Sequence, residues 1–377
     1  MRKKIMLGIL FICIVMMDSH TFLAEEIQEN IYIRAKVIKV IEDNVEEVLT
    51  SGEDLVLRSQ KLRVKGINKP YKNMLFTAEN TFHTDSFYQY IAKEGDKVVL
   101  FLEKNETGEI TEAYVVEPVR DTYLFYLAGL FIILLVVIGK GKGIKAVITL
   151  VLTIGAVLKI LLPGILKGYN PILLSIFIST GITIVTLVLV SGWNRKTTTA
   201  IIGTIIGVIM AGLIAWWIGQ KTHLSGLNNA ESQMLMYIPQ GTDFDLTGIL
   251  FAGIILGALG AVMDVSMSIA SSMYELTKAN TRLTTKELIQ SGMNIGKDVM
   301  GTMSNTLILA YAGGSIHVML LFLAYKLSMI EIMNMDMIAT EVVRAISGSI
   351  GLLFAIPVTT IVGAFLLPQN KIMNEAE

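Results

Sequence analysis

The sequence holds a single cysteine, Cys13, and few charges. One cysteine excludes a disulfide framework and a thiolate metal cage. Charged residues make up 17% of the 377, against about a quarter in soluble globular chains. The formal net charge of −1 excludes a strongly basic nucleic-acid binder and an acidic disordered tail. Catalytic signatures are missing too. The chain has no Walker A motif, hence no ATP-binding motif, and no GxSxG, HExxH or GxGxxG following a strand. His20, His83, His223 and His317 fall on unrelated segments. Catalytic residues, cofactors and metal ligands are therefore all expected to be none, and the chain is read as no enzyme.

What is abundant is apolar length: 53% of the residues are hydrophobic, and the mean hydropathy is +0.61. Seven long uncharged or nearly uncharged stretches follow residue 121, at about 122–139, 146–166, 171–191, 199–219, 246–272, 299–325 and 345–367. Each is near the roughly 17–25 residues that a spanning helix needs. The expected fold class is a polytopic α-helical membrane protein, partnered by the lipid bilayer, with seven transmembrane helices in residues 121–370. Residues 1–24 precede them as a signal peptide or signal anchor: three basic residues, then thirteen uncharged ones from Ile5 to Met17. With the N-terminus cytoplasmic, inside segments hold thirteen Lys and Arg and outside short loops hold five. That positive-inside bias sets the orientation, with residues 371–377 as a cytoplasmic tail.

Residues 25–120 are a different material, with 13 Lys+Arg against 18 Asp+Glu and no long apolar run. Ile31, Ile33, Ala35 and Val37 alternate with polar or amphipathic residues, and Lys61 to Lys65 does the same. That period of two is a strand signal. Residues 98–102 and 110–116 flank Asn105-Glu106-Thr107-Gly108 as a hairpin with a Gly-containing turn. A small extracytoplasmic β domain is expected, an OB-like barrel or a sandwich.

Ionisable residues inside an apolar span are costly and mark function by default. Asp264 is the leading case. Ser268, Ser271 and Glu275 follow it at helical spacing, and Asn294, Asp298, Thr302 and Asn305 form a matching stripe on the next span. A polar stripe must face other helices or water, so the two antiparallel stripes are expected to meet. Asp264, Ser268, Asp298, Thr302 and Asn305 are the candidate transport lining, His317 a proton-linked group, and Gly313 and Gly314 a hinge. The structural alternative is interhelical hydrogen bonding and packing. Arg344 either pairs with Glu341, Asp243 or Asp245, or snorkels. Gly203-xxx-Gly207 and Gly253-xxx-Gly257 permit close helix crossings.

The blocks GAVMDVSMSIASS (260–272), GKDVMGTMSNTLILAYAGGS (296–315) and EVVRAISGSIGLLFAIPVTT (341–360) resemble those of the YibE/F-like bacterial multi-pass membrane proteins. With a β domain ahead of the helices, the chain is similar to the YibE type. The resemblance implies a plasma-membrane location and a homologous YibF-type membrane subunit as partner. It implies no substrate or reaction. Two functions follow from the residues: a permease or exporter subunit for an ion or small polar solute, or a non-transporting scaffold or assembly factor whose β domain binds an envelope partner.

Overall fold

The computed structural model describes residues 31–50, 53–83, 90–105, 108–237 and 244–367. The expected signal or anchor segment (1–24), with Cys13, and the tail (371–377) lie outside them, as does Asp243. The chain divides into two compact units, His20–Leu134 and a helical unit from Leu135 onward.

The first unit is a closed barrel with strand order β1-β2-β3-β5-β4. The strands are β1 (Ile31–Thr50), β2 (Glu53–Gly66), β3 (Leu75–His83), β4 (Lys97–Lys104) and β5 (Ile110–Pro118). β1 is long enough to pair antiparallel with both β2 and β4. Register shifts at Val37/Lys39 and Val40/Glu42 bend it around the wall. A parallel pairing at Glu79 and Tyr114 closes β3 onto β5. Alternation decides what goes inside. Ile33, Ala35, Val37, Leu62, Val64, Ala78, Val98 and Leu100 are all buried, and they form one apolar core. Two polar side chains join it, Gln60 and Asn80. Asn80 Nδ2 donates to Gln60 Oε1 at 2.9 Å, and Gln60 Oε1 also accepts from the Ala92 N–H at 2.9 Å. Buried amides are tolerated because they are hydrogen-bonded. At the barrel edge, the Arg58 guanidinium donates to Asp43 Oδ1 at 2.8 Å and holds that carboxyl below the usual carboxylate range.

The helices are α1 (Asp121–Ala156), continued by a π turn (Val157–Leu161) into α2 (Leu162–Leu166), then α3 (Pro171–Ser191) and α4 (Arg195–Lys221). Next come α5 (Ala230–Met234), α6 (Leu246–Ala279), α7 (Thr285–Gly314), α8 (Ile316–Tyr325), α9 (Met329–Asn334) and α10 (Asp336–Leu366). Their starts are written in side chains. Asn170 with Pro171, Asn194 and Asp245 cap α3, α4 and α6, and Thr284 with Glu287 forms a capping box on α7.

Among the described residues, five helical stretches are long and apolar enough to cross a bilayer, and six if α7 and α8 count as one bent span. The sequence leads one to expect two spans at 122–139 and 146–166, where the helical stretch Asp121–Leu166 runs 46 residues. That stretch is not one straight rod. Lys140 takes φ 48° and ψ −128° inside it. A Cβ built at Gly143 would collide with the Leu135 carbonyl and lie 3.1 Å from Val136 Cα. Residues eight apart on a straight helix are about 12 Å apart, so the chain doubles back at Lys140.

The bundle core is built from α4, α6, α7 and α10, with Ile255, Val262, Val265, Ile269, Met273, Leu352 and Ile356 buried. The closest crossing is α4 against α10. A Cβ at Gly207 would sit 2.9 Å from the Gly351 carbonyl oxygen, and one at Gly351 would sit 2.6 Å from the Gly207 oxygen. At Gly203 an added Cβ would meet the Thr359 hydroxyl. Gly203-xxx-Gly207 thus lies at a backbone-close contact, the use small residues have where helices must approach. The outer faces are apolar, with Phe177, Leu323 and Phe365 all exposed. Exposed apolar residues of that size on several helices fit a membrane protein.

Candidate functional site

On α6 the inward face is continuous: Ile255, Val262, Val265, Ser266 and Ile269 are buried. The opposite face carries no bulky apolar residue over six turns. It reads Gly253, Gly257, Gly260, Asp264, Ser268, half-buried Ser271 and Glu275, spaced three or four apart. No heavy atom would stand within 4 Å of a Cβ at Gly253 or Gly260. The stripe is a shallow track in the outer surface of the helix, with Asp264 as its central charge. Asp264 makes no ion pair or hydrogen bond among the described residues.

Both ends of this track are met by other helices. Toward the α6 N-terminus, the Tyr311 hydroxyl of α7 lies 2.6 Å from where a Gly257 Cβ would be. Toward the C-terminus, Lys196 of α4 donates from Nζ to Ser271 Oγ at 3.4 Å. Lys196 and Lys278 stand 5.7 and 4.6 Å from the Tyr274 ring centroid, and Lys278 pairs with Glu275 at 3.8 Å. Asp264 is seven residues, about 10 Å, from each end contact. Sequence reasoning missed Lys196 and Tyr311 as parts of this site. Lys196 reads as a loop charge, and Tyr311 touches α6 through a tertiary contact that no spacing encodes.

The second stripe has a different setting from the expected one. α6 and α7 run antiparallel, with Gly292 packed on Met273 and Gly296 near Ile269. Asn294, Asp298, Thr302 and Asn305 nevertheless lie on an exposed face. Thr302 Oγ1 donates to the Val299 carbonyl of its own helix at 2.9 Å. No hydrogen bond or ion pair joins Asp264 or Ser268 to Asp298, Thr302 or Asn305 among the described residues. Among the described residues the two stripes are thus exposed on their own helices and joined by no hydrogen bond or ion pair. The inward positions of both helices are taken by the apolar and small residues that pack the bundle, which turns the polar positions outward.

Gly313 and Gly314 have no neighbouring atom within 4 Å of a built Cβ. The helix breaks directly after them, and α8 leaves at 62° to α7. His317 is exposed in the first turn of α8. Arg344 pairs with Glu341 at 3.3 Å, while its Nε is buried with no partner. Asp245 serves as the α6 cap, accepting from the Gly248 N–H at 2.7 Å.

Residues 127–369 match the family model of YibE/F-like protein. The chain belongs to the YibE/F-like family. The YibE/F family N-terminal domain matches residues 31–118, which is the barrel from its first strand to its last. All three sequence blocks, and with them the whole α6 track, fall inside the larger YibE/F match. No curated protein and no solved structure matches the chain.

Proposed function

We propose that this protein is a multi-pass plasma-membrane permease or exporter subunit for an ion or small polar solute. The two arms of α1–α2 on either side of Lys140 act as separate spans, which brings the total to seven. Residues 25–120 lie outside the cytoplasm and the C-terminus inside. One observation carries the reading: a carboxylate, Asp264, stands without an ion pair or hydrogen bond among the described residues in the middle of a 34-residue helix, with Gly257, Gly260, Ser268 and Ser271 as its neighbours on that face. Exposing a charge to hydrocarbon at that depth costs at least about 2.5–3.5 kcal/mol. The track is therefore wetted, or it is completed by a further chain such as a homologous YibF-type subunit. With no nucleotide-binding motif, the energy comes from an ion gradient or a separate subunit.

The test is proton and cation flux into proteoliposomes of the purified protein, wild type beside Asp264→Asn. Flux in the wild type, and loss of at least about tenfold in the variant with normal membrane insertion, is the expected result. Normal flux through Asp264→Asn would remove the proposed role.

A second reading is favoured by a different observation. The barrel is a folded unit with its own core and a cationic outer face, as suits a non-transporting scaffold or assembly factor that binds an envelope partner. There Asp264→Asn changes stability or partner retention and leaves no flux to lose.

A further inference from the structure

The barrel's outer wall carries a charge pattern that neither its core nor the transport reading uses. Lys36 on β1 lies opposite Lys65 on β2 and opposite Lys97 on β4. One bulge further along, Lys39 lies opposite Arg63, and Lys61 lies between Glu42 and Glu79 on the neighbouring strands. All six cations are exposed, while Ala35, Val37, Leu62, Val64 and Val98 between them are buried. None of the six forms an ion pair among the described residues. Like charges directly opposite in a sheet destabilise it. The stretch is also acidic overall, with 13 cations to 18 anions between residues 25 and 120. Six of those cations are nonetheless gathered on three adjacent strands.

We infer that this face binds a flexible phosphate-bearing chain, one whose repeats each carry a charged phosphate group. Along β2, Lys61, Arg63 and Lys65 repeat about every 6.7 Å and cover about 13 Å, with neighbouring strands about 4.8 Å away. One small anion touches a fraction of such an array, whereas a chain sets successive phosphates on successive cations. A flat bilayer surface meets a curved barrel wall along a line only, and a flexible chain follows the curve from β4 across β1 to β2. The aromatic pair of this wall, Tyr32 and Phe101, packs ring on ring four residues along β1 and β4 from Lys36 and Lys97, so no aromatic lies between neighbouring cations. Arg63 supplies the forked donor suited to phosphate, and the lysines act as point charges.

The inference goes beyond the transport reading and does not depend on it. Its test uses the full chain in a neutral detergent, with labelled inorganic polyphosphate as the probe and fluorescence anisotropy over a salt series. The key variant is Lys36→Glu with Arg63→Glu, beside Lys104→Glu, an exposed cation at the far end of β4. Wild type is expected to bind with an affinity that falls as salt rises, and the double variant to bind at least about tenfold more weakly with a shallower salt slope. Lys104→Glu stays within about twofold of wild type. The double variant melts no lower than wild type, because each new carboxylate faces a lysine across the sheet. Equal binding by the double variant, or an equal loss in Lys104→Glu, overturns the inference. So does absence of polyphosphate binding in the wild type. Capture of phosphatidylglycerol vesicles through the same residues without polyphosphate binding likewise overturns the chain in favour of a lipid surface.

Discussion

Gly207→Leu is expected to break the helical unit, lowering the melting temperature of the detergent-solubilised protein more than any single substitution on an outer face. A side chain at this position starts 2.7 Å from Val262 Cγ1 and 2.9 Å from both Ala355 Cβ and the Gly351 carbonyl oxygen. Two of those three atoms cannot rotate away, since one is backbone and one is an alanine methyl. The helices α4 and α10 must separate, and the close approach opposite, where a Cβ built at Gly351 would lie 2.6 Å from Ala211 Cβ, is lost with them. Overpacking of a well-filled core costs about 1–3 kcal/mol and occasionally more, and this site belongs at or above the upper end. Gly253→Leu is the control, because nothing stands within 4 Å of its Cβ position. It is expected to melt close to wild type. Equal losses from the two variants would contradict the crossing at Gly207.

Leu62→Ala is the corresponding experiment on the barrel. Leu62 is fully buried on β2, among Ile33, Val64, Ala78 and Leu100. Its neighbours are held by strand pairing on both sides, Val40 on β1 and Ala78 on β3, so the wall has little room to collapse into the cavity. Leu→Ala in such a setting costs about 2–5 kcal/mol. In a domain of this size that lowers the barrel transition by about 10 °C or more. Thermal unfolding of the full chain, followed by proteolysis between β strands, measures it. A shift of a degree or two would mean that the barrel core does not depend on Leu62.

Much of this organisation is legible in the sequence alone. Alternation from Ile31 to Val37 and from Lys61 to Lys65 reports strands because one wall of a barrel must be apolar and the other wet. The apolar runs report helices because backbone away from water is satisfied within helices or closed barrels, and runs near 20 residues are too long for barrel strands of about 9–11. What local pattern cannot report is which face turns inward. Asp264 and Ser268 share a stripe with Gly253, Gly257 and Gly260, and their outward aspect follows from Val262, Val265 and Ile269 filling the core. Lys196 and Tyr311 reach the track from helices separated from it in sequence. The reversal at Lys140 is marked by a basic cluster between two apolar runs, while the break after Gly314 follows paired glycines. The distribution of cations over β4, β1 and β2 emerges only when strand register puts Lys97, Lys36 and Lys65 in one row.

On the transport reading with the track open to solvent, the outward face of α6 around Asp264 meets water at bilayer depth. Thiol accessibility tests it most directly. With Cys13 replaced by serine, cysteines are placed singly at Gly260, Asp264 and Ser268, at the outward apolar position Phe354 of α10, and at Lys104 on the barrel. The membrane-embedded protein is then treated with a membrane-impermeant maleimide. Labelling at positions 260, 264 and 268, comparable to that at 104 and absent at 354, is the expected result. Labelling at 104 with none at any of the three track positions would contradict a wetted track and the transport role built on it.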